Sequence, residues 1–233
     1  MDRAGWHAAL WPFDFLPRAT ARVSEDCVQD TLDRLSENPQ AWNVLRSLVE
    51  AGFRGEKAAI ARELDPWRDV GARAFLDFGC GTGEFAPCFP PQHYTGVDLA
   101  AHYVRWASRH RPGYYAVADG TALALHSASF DAALVCGVFH HLPDEIVRGA
   151  VAELHRVLKP AAVMLVLEDI APPDAWNLAG KAMHWLDRGG FIRSNADYRA
   201  LMAPHFQPSR EYSIRSGICD YAVYVMQRAE LRH

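Results

Sequence analysis

The stretch AFLDFGCGTGEFA, residues 74–86, decides the fold together with YTGVDL, residues 94–99. Each stretch begins with a short apolar run of strand-like composition. The first run ends in three closely spaced glycines and the second ends at Asp98. Ligands of open parallel sheets bind at the carboxyl ends of the strands, so these two endings are where we expect the chemistry.

Further strand-like runs follow at regular intervals. We predict strands at 74–78, 94–97, 114–118, 130–136 and 163–167, and a late pair at 212–214 and 221–226. Helical patterns separate the first five, and the clearest is Glu145–Leu158, which places its apolar residues on one face. Alternating strands and helices predict an α/β fold with a seven-stranded, mostly parallel sheet and helices on both faces.

Two regions differ from this pattern. Residues 1–70 contain helical apolar spacing and no strand, so we predict an N-terminal helical cap or lid with helices after Ser24, after Pro39 and before Pro66. Residues 71–233 form the predicted core, with a lid insertion near 172–206. Both the cap and the insertion are rich in large apolar side chains, which are Trp6, Trp11, Phe13, Phe15, Trp176, Met183, Trp185 and Phe191. They predict an apolar pocket for the acceptor. Alternatively, they only pack the lid against the core or form a dimer contact.

Composition excludes several classes of protein. The chain has 233 residues, 50% of them hydrophobic and 22% charged, with a net charge of −4. This balance and the lack of a long basic tract argue against a nucleic-acid partner. The lack of a secretory signal and of a long apolar run argues against a membrane and favours the cytoplasm. We expect a monomer or a homodimer.

The glycine-rich turn and the acids after the strands predict a nucleoside site. A dinucleotide fingerprint would place a third glycine at position 84, but Glu84 stands there and its negative charge disfavours a pyrophosphate. Asp98 is placed to accept both hydroxyls of a ribose. Asp119, after the third strand, could accept from an adenine amine. The alternative is that Asp98 and Asp119 are helix N-caps.

Over residues 73–170 the chain resembles the class I S-adenosylmethionine-dependent methyltransferases, in particular their small-molecule branch. The resemblance is carried by FLDFGCGTGEFA, GVDLA, VADGTALALHSASFDAALVCGVFHHL and ELHRVLKPAAVMLVLED. It implies a Rossmann-like sheet with S-adenosylmethionine as the cofactor and S-adenosylhomocysteine as the product. One departure is Pro160-Ala161-Ala162, where the family usually has Pro-Gly-Gly, at a turn that the family places far from the cofactor.

The resemblance also implies roles for individual residues. Those that would hold the methionine end and the adenosine linkage are Asp77, Gly79 and Gly81. Asp98 would hold the ribose, with Leu99 against the adenine. The adenine edge would meet Asp119 and Gly120, and Cys136 would lie near the sulfonium.

Two histidines follow the fourth strand and are candidate catalytic residues. His140 and His141 could act as a general base, since imidazole titrates near neutral pH. Adjacent side chains point in different directions, so we expect one of them to reach a substrate; both could instead be structural. Glu168 and Asp169 could line the same cleft and, with a histidine, bind Mg²⁺. Because histidines replace the acid expected after the fourth strand, we expect no metal.

The leading functional prediction is methyl transfer to oxygen, nitrogen or carbon of a small, apolar or aromatic metabolite, in specialised metabolism. Two alternatives share the cofactor pocket. One is an enzyme that uses the cofactor's positive charge for a rearrangement or decarboxylation, and the other is a non-catalytic nucleoside-binding regulator.

Overall fold

A computed structural model describes residues 38–68, 73–174, 176–186 and 190–229. Its strands are β1 (Phe75–Phe78), β2 (Tyr94–Asp98), β3 (Tyr114–Val117), β4 (Phe130–Cys136), β5 (Leu158–Asp169), β6 (Phe206–Ser216) and β7 (Cys219–Arg228). They form one seven-stranded sheet in the order β3-β2-β1-β4-β5-β7-β6.

The first five strands are parallel, and β7 lies antiparallel between β5 and β6. The predicted seven-stranded, mostly parallel sheet is therefore confirmed. The order reverses between β1 and β4, since β2 and β3 continue on one side of this pair and β5 on the other. Connections leave the two strands in opposite directions there, which opens a crevice at their carboxyl ends.

Six helices cover the sheet in the described residues: α1 (Pro39–Val49), α2 (Arg54–Arg68), α3 (Ala101–His110), α4 (Asp144–Val157), α5 (Leu178–Leu186) and α6 (Asn195–Met202). Two apolar clusters lie on opposite faces of the sheet. One contains residues of α4 and α6, and the other contains residues of α2. Because the central strands are covered on both faces, β4 and β5 are nearly continuous apolar runs rather than alternating ones.

The cap region differs in detail from its prediction. The helix predicted after Ser24 lies outside the described residues. α2 continues to Arg68, two residues beyond the stop predicted near Pro66. Leu48 of α1 is 77% exposed.

The long connection after β5 is partly core. Tyr198, Leu201 and Met202 of α6 are buried against the sheet, whereas Trp176 is 90% exposed and Phe191 is 42% exposed. Of the remaining ring-bearing residues of the predicted lid, those before residue 38 lie outside the described residues. Among the described helices, none has the length and apolar character needed to cross a membrane.

Candidate cofactor and active site

The glycine turn after β1 is bonded to the end of β2. The amides of Gly79 and Cys80 donate to the Val97 carbonyl at 2.8 and 3.0 Å, and the Gly81 amide donates to Asp98 Oδ2 at 2.8 Å. Gly79 and Gly81 have φ values of 73° and 50°, a region that favours glycine. The protein's own hydrogen bonds therefore hold the turn in this conformation.

The two glycines have different reasons for lacking a side chain. A Cβ on Gly79 would come within 2.5 Å of a methyl group of Val138, so the protein's own packing excludes it. A Cβ on Gly81 would meet no protein atom within 4 Å. The space above Gly81 is open to a ligand, and a side chain there would fill it.

Asp98 joins this turn to the start of α3. Its Oδ1 accepts from the Ala100 amide at 2.8 Å, while Oδ2 accepts from Gly81. The N-cap of α3 is Ala100 rather than Asp98. The N-cap alternative therefore holds only to the extent that Asp98 accepts the Ala100 amide at the start of the helix. Burial raises the pKa of the carboxyl group. Each carboxylate oxygen retains a lone pair for a ligand hydroxyl.

Asp77 is buried beneath the same turn. Its Oδ2 accepts from the Tyr94 hydroxyl at 2.6 Å, and the residue is 2% exposed. Burial raises the pKa of Asp77 to about 7, because the charged form loses water that one phenol replaces only in part.

Asp119 and Gly120 follow β3. Asp119 Oδ1 accepts from both the amide and the hydroxyl of Thr121, at 2.8 and 2.7 Å, so this acid closes a local turn. A Cβ on Gly120 would clash with the ring of Phe78, which explains that glycine by packing alone. Leu99 is half-buried beside Asp98.

Glu84 is bound by two cations. Lys57 Nζ lies 2.7 Å from its Oε1, and Arg111 Nη2 lies 2.6 Å from its Oε2. The charge of Glu84 is therefore compensated, and the expectation that it would repel a pyrophosphate loses its basis. Lys57 and Arg111 thus bind this loop.

The end of β4 carries Cys136 and the histidine turn. Cys136 is 8% exposed, and burial raises the pKa of its thiol. Glu168, fully buried at the end of β5, accepts from the amides of Val138, Phe139 and His140 at 2.8–3.1 Å. It also lies 2.7 Å from His140 Nδ1. Glu168 thus shapes the turn from beneath.

The two histidines occupy different environments. His140 is 4% exposed, and its carbonyl accepts from the Phe191 amide at 3.1 Å. His141 is half-buried, with its ring 4.0 Å from that of His140. Burial, followed by the neighbouring His140 and Arg46, lowers the pKa of His141 well below its usual value, so the ring is neutral at pH 7.

Arg46 of α1 is a site residue that the sequence analysis missed. Its Nη2 lies 4.0 Å from the position that a Cβ on Gly137 would occupy, at the end of β4. Its Nε donates to Glu50 Oε1 at 2.8 Å, and within the described residues the guanidinium has no other hydrogen-bond partner. About a third of the side chain, 34%, is accessible. The nearby Asn43 accepts from Thr82 Oγ1 at 2.6 Å and was also missed.

No group of three or more His, Cys, Asp or Glu residues that could hold a metal ion occurs among the described residues. Glu168 and Asp169, which the sequence analysis considered for Mg²⁺, are both buried, and the hydrogen bonds of Glu168 go to the histidine turn.

An open α/β sheet with a glycine turn after β1 and a carboxylate after β2, at the switch point, defines a Rossmann-like nucleoside-binding protein. Residues 76–166 match the family model described as "Methyltransferase domain". This part of the chain is therefore a methyltransferase domain, and the match supports the resemblance to the class I S-adenosylmethionine-dependent methyltransferases, for which S-adenosylmethionine is the cofactor. The open space at Gly81, the lone pairs of Asp98 and the Arg46 donors that have no partner among the described residues fit that cofactor.

Solved structures share the fold. A S-adenosylmethionine-dependent methyltransferase from Aquifex aeolicus is 14% identical, with a TM-score of 0.58 over 85% of this chain and 97% of that one. Geranyl diphosphate C-methyltransferase from Streptomyces coelicolor A3(2), in complex with Mg²⁺, geranyl diphosphate and S-adenosyl-L-homocysteine, is 15% identical, with a TM-score of 0.58 over 75% and 79%.

A third similar structure is the complex between the Haloferax volcanii Trm112 methyltransferase activator and a putative methyltransferase. It is 16% identical, with a TM-score of 0.63 over 88% of this chain and 100% of that one. No curated protein matches the sequence.

Proposed function

We propose that this protein transfers the methyl group of S-adenosylmethionine to oxygen, nitrogen or carbon of a small apolar molecule. The observation that carries the proposal is the arrangement at the carboxyl ends of β1, β2 and β4, where Gly81 is bonded to Asp98, and Arg46 lies beside Gly137 and acts on His141. These residues offer backbone amides, a carboxylate, a guanidinium and a neutral imidazole. Such groups can bind the ribose and the amino-acid portion of S-adenosylmethionine and take a proton from an acceptor.

Binding of the cofactor is divided among these groups. Asp98 accepts the ribose hydroxyls through the lone pairs that Gly81 and Ala100 leave open. Leu99, Asp119 and Gly120 lie toward the adenine end. The methionine end meets Asp77, Gly79 and Cys136, which border the opposite side of the turn.

Arg46 binds the carboxylate of the methionine portion. Its Nη2 lies 4.0 Å from the position of a Cβ on Gly137, and a guanidinium matches a carboxylate in two parallel hydrogen bonds. The role is testable without an acceptor, since it concerns cofactor binding alone.

His141 is the proton acceptor, and His140 is a positioning residue. Because the oxygens of Glu168 already receive three amide hydrogens, the carboxylate is an acceptor and His140 Nδ1 donates to it. His140 is thereby fixed beneath the turn, and it supports His141. The neutral ring of His141 can take a proton from an acceptor hydroxyl or amine.

The cofactor, when bound, supplies a methyl group already activated on a sulfonium. The protein's own task is therefore to align the acceptor and exclude water, and such positioning can contribute about 7–11 kcal/mol. An apolar acceptor is supported by the aromatic content of the N-terminal and 172–206 segments, and by the geranyl diphosphate substrate of one structural relative.

The test has two stages. Calorimetric titration with S-adenosylmethionine and with NAD should show saturable binding of the first ligand only, and Arg46→Met should weaken that binding. Small apolar acceptors are then screened for a mass gain of one methyl and release of S-adenosylhomocysteine. In that assay His141→Gln should lower kcat while leaving cofactor affinity unchanged.

Two outcomes would favour the alternatives. Turnover of a substrate without a mass gain would indicate a rearrangement or decarboxylation, and tight cofactor binding without turnover of any acceptor would indicate a binding protein. Equal turnover by His141→Gln and the unaltered protein would contradict the role of His141.

A further inference from the structure

A buried carboxyl pair lies behind Arg46, on the side away from the crevice. Glu50 is 4% exposed, and both of its carboxylate oxygens are used: Oε1 accepts from Arg46 Nε at 2.8 Å and Oε2 from the Tyr221 hydroxyl at 2.9 Å. Its backbone carbonyl accepts from Ser216 Oγ at 2.9 Å. Glu50 is therefore fixed from β6 and β7, and it determines where the Arg46 side chain can point.

Glu56 of α2 is the second carboxyl group of the pair. It is 0% exposed, and neither carboxyl oxygen has a hydrogen-bond partner among the described residues. An ionised carboxylate without donors is very costly at such a depth, whereas the protonated form is tolerated. The groups that face the pair from the elements packed against it are Arg46 of α1, Cys136 of β4, Ser216 of β6 and Tyr221 of β7.

We propose that Glu50 is a positioning residue that directs Arg46 toward the cofactor carboxylate, and that the proton on Glu56 keeps this arrangement competent for binding. The inference rests on the proposed role of Arg46. With Glu56 protonated, Arg46 and Glu50 form one cation and one anion, and the guanidinium can attract a further carboxylate. Ionisation of Glu56 adds a second buried negative charge and lowers the positive potential at Arg46.

The pKa shifts of Glu50 and Glu56 support this assignment of charges. Burial raises the pKa of Glu50, but Arg46, Glu56 and Tyr221 together outweigh it and lower that pKa overall. Burial, and then the neighbouring Glu50, raises the pKa of Glu56 to about 8. The pair thus carries a single negative charge at pH 7 and approaches two above pH 8. By linkage, a bound carboxylate raises the pKa of Glu56 further, so binding takes up protons near pH 8.

The experiment compares two ligands over pH 6.5–9.5 by calorimetry. S-adenosylhomocysteine has the amino-acid carboxylate, and 5′-methylthioadenosine lacks it. We expect the Kd of S-adenosylhomocysteine, divided by that of 5′-methylthioadenosine, to rise about tenfold between pH 7 and pH 9.5 in the unaltered protein. This change is equivalent to a one-unit rise in the pKa of Glu56 on binding. In Glu56→Gln the ratio should change markedly less. Titration of the ligand's own amine affects both proteins equally and cancels in the comparison.

Two further variants separate positioning from folding. Glu50→Gln should weaken binding of S-adenosylhomocysteine about tenfold and leave 5′-methylthioadenosine unchanged. Glu63→Gln is the matched control for Glu56→Gln, because Glu63 is also a buried carboxylate of α2. Glu63 is bound by Arg62 and Arg210 and not by Arg46. It should leave the ratio of Kd values unchanged at every pH.

The outcomes distinguish this inference from the proposed function. Parallel pH curves for the unaltered protein and Glu56→Gln would overturn the role of Glu56, and an equal loss of both ligands in Glu50→Gln would overturn that of Glu50. An unaltered protein that binds neither ligand would instead contradict the proposed cofactor site. The pH dependence of the unaltered protein remains decisive even if one variant fails to fold, because a flat ratio would refute the inference.

Discussion

Replacement of Glu168 by Gln should destabilise the protein far more than the loss of one charge suggests. The fully buried carboxylate accepts three backbone amides and lies 2.7 Å from His140 Nδ1. A glutamine can keep its oxygen at the Oε1 position for Val138 and Phe139. Its NH₂ group then faces the His140 amide, leaving that buried donor without a partner.

The magnitude follows from these contacts. An orphaned buried amide costs about 1–3 kcal/mol, and each of the two retained bonds weakens by about 1 kcal/mol when its acceptor loses its charge. Relief of the desolvation of a buried charge offsets part of this loss. We expect Glu168→Gln to lower the free energy of unfolding by about 2–4 kcal/mol.

Urea unfolding followed by circular dichroism would measure the change, with the m-value checked for constancy. The matched control is Glu153→Gln on α4, where the carboxylate accepts one amide, that of Leu123, and pairs with Arg156 near the surface. Its expected loss is about 1 kcal/mol. Equal losses in the two variants would refute the idea that Glu168 organises the histidine turn.

Three further outcomes are expected. Asp98→Ala should weaken S-adenosylmethionine binding by about 10–100-fold in calorimetry, since two charged hydrogen bonds to the ribose are lost; unchanged affinity would contradict the ribose role. Gly81→Ala should abolish measurable cofactor binding. Gly52→Ala, at a comparable φ of 73° and also in open space, should cost similar stability and leave binding intact. Equal binding by both variants would show that the ligand does not occupy the space above Gly81. Burial raises the pKa of Asp77 to about 7, so its contribution to stability is present in acid and is lost as the pH rises from 4 to 7. The free energy of unfolding of the ligand-free protein should therefore decline over this range. Asp77→Asn should remove about 2–4 kcal/mol of that decline, as measured by urea unfolding at several pH values.

The sheet and the ends of its strands could be predicted from the sequence because both depend on local patterns. Asp98 and the glycine turn lie side by side in space since neighbouring parallel strands end at the same edge, and the chain order alone indicates this. The lengths of β5 and β6 were underestimated. Their ends, such as Lys159–Ala161, are polar or exposed and lack the apolar pattern on which the prediction depended.

The residues behind the crevice could not be predicted in this way. Arg46, Glu50 and Glu56 come from helices whose packing against the sheet leaves no local signal, and Glu50 meets Tyr221 across 171 residues of chain. The sequence analysis placed Glu168 in the cleft because it follows β5. The structure turns it beneath the histidine turn, where three converging amides offer a better environment for a carboxylate than the crevice does.

The contact between the α1–α2 turn and the β6–β7 hairpin also has a consequence during synthesis. The Ile218 amide donates to the Val49 carbonyl, and Tyr221 reaches Glu50, so the first described helices depend on the last hairpin. A ribosome adding about 5–20 residues per second needs roughly 10–30 s to make the intervening chain. During that time α1 and the α1–α2 turn have emerged while the hairpin that bonds to them has not, and α1 carries the exposed Val44 and Leu48. The cofactor site is therefore completed only when the carboxyl-terminal hairpin leaves the ribosome.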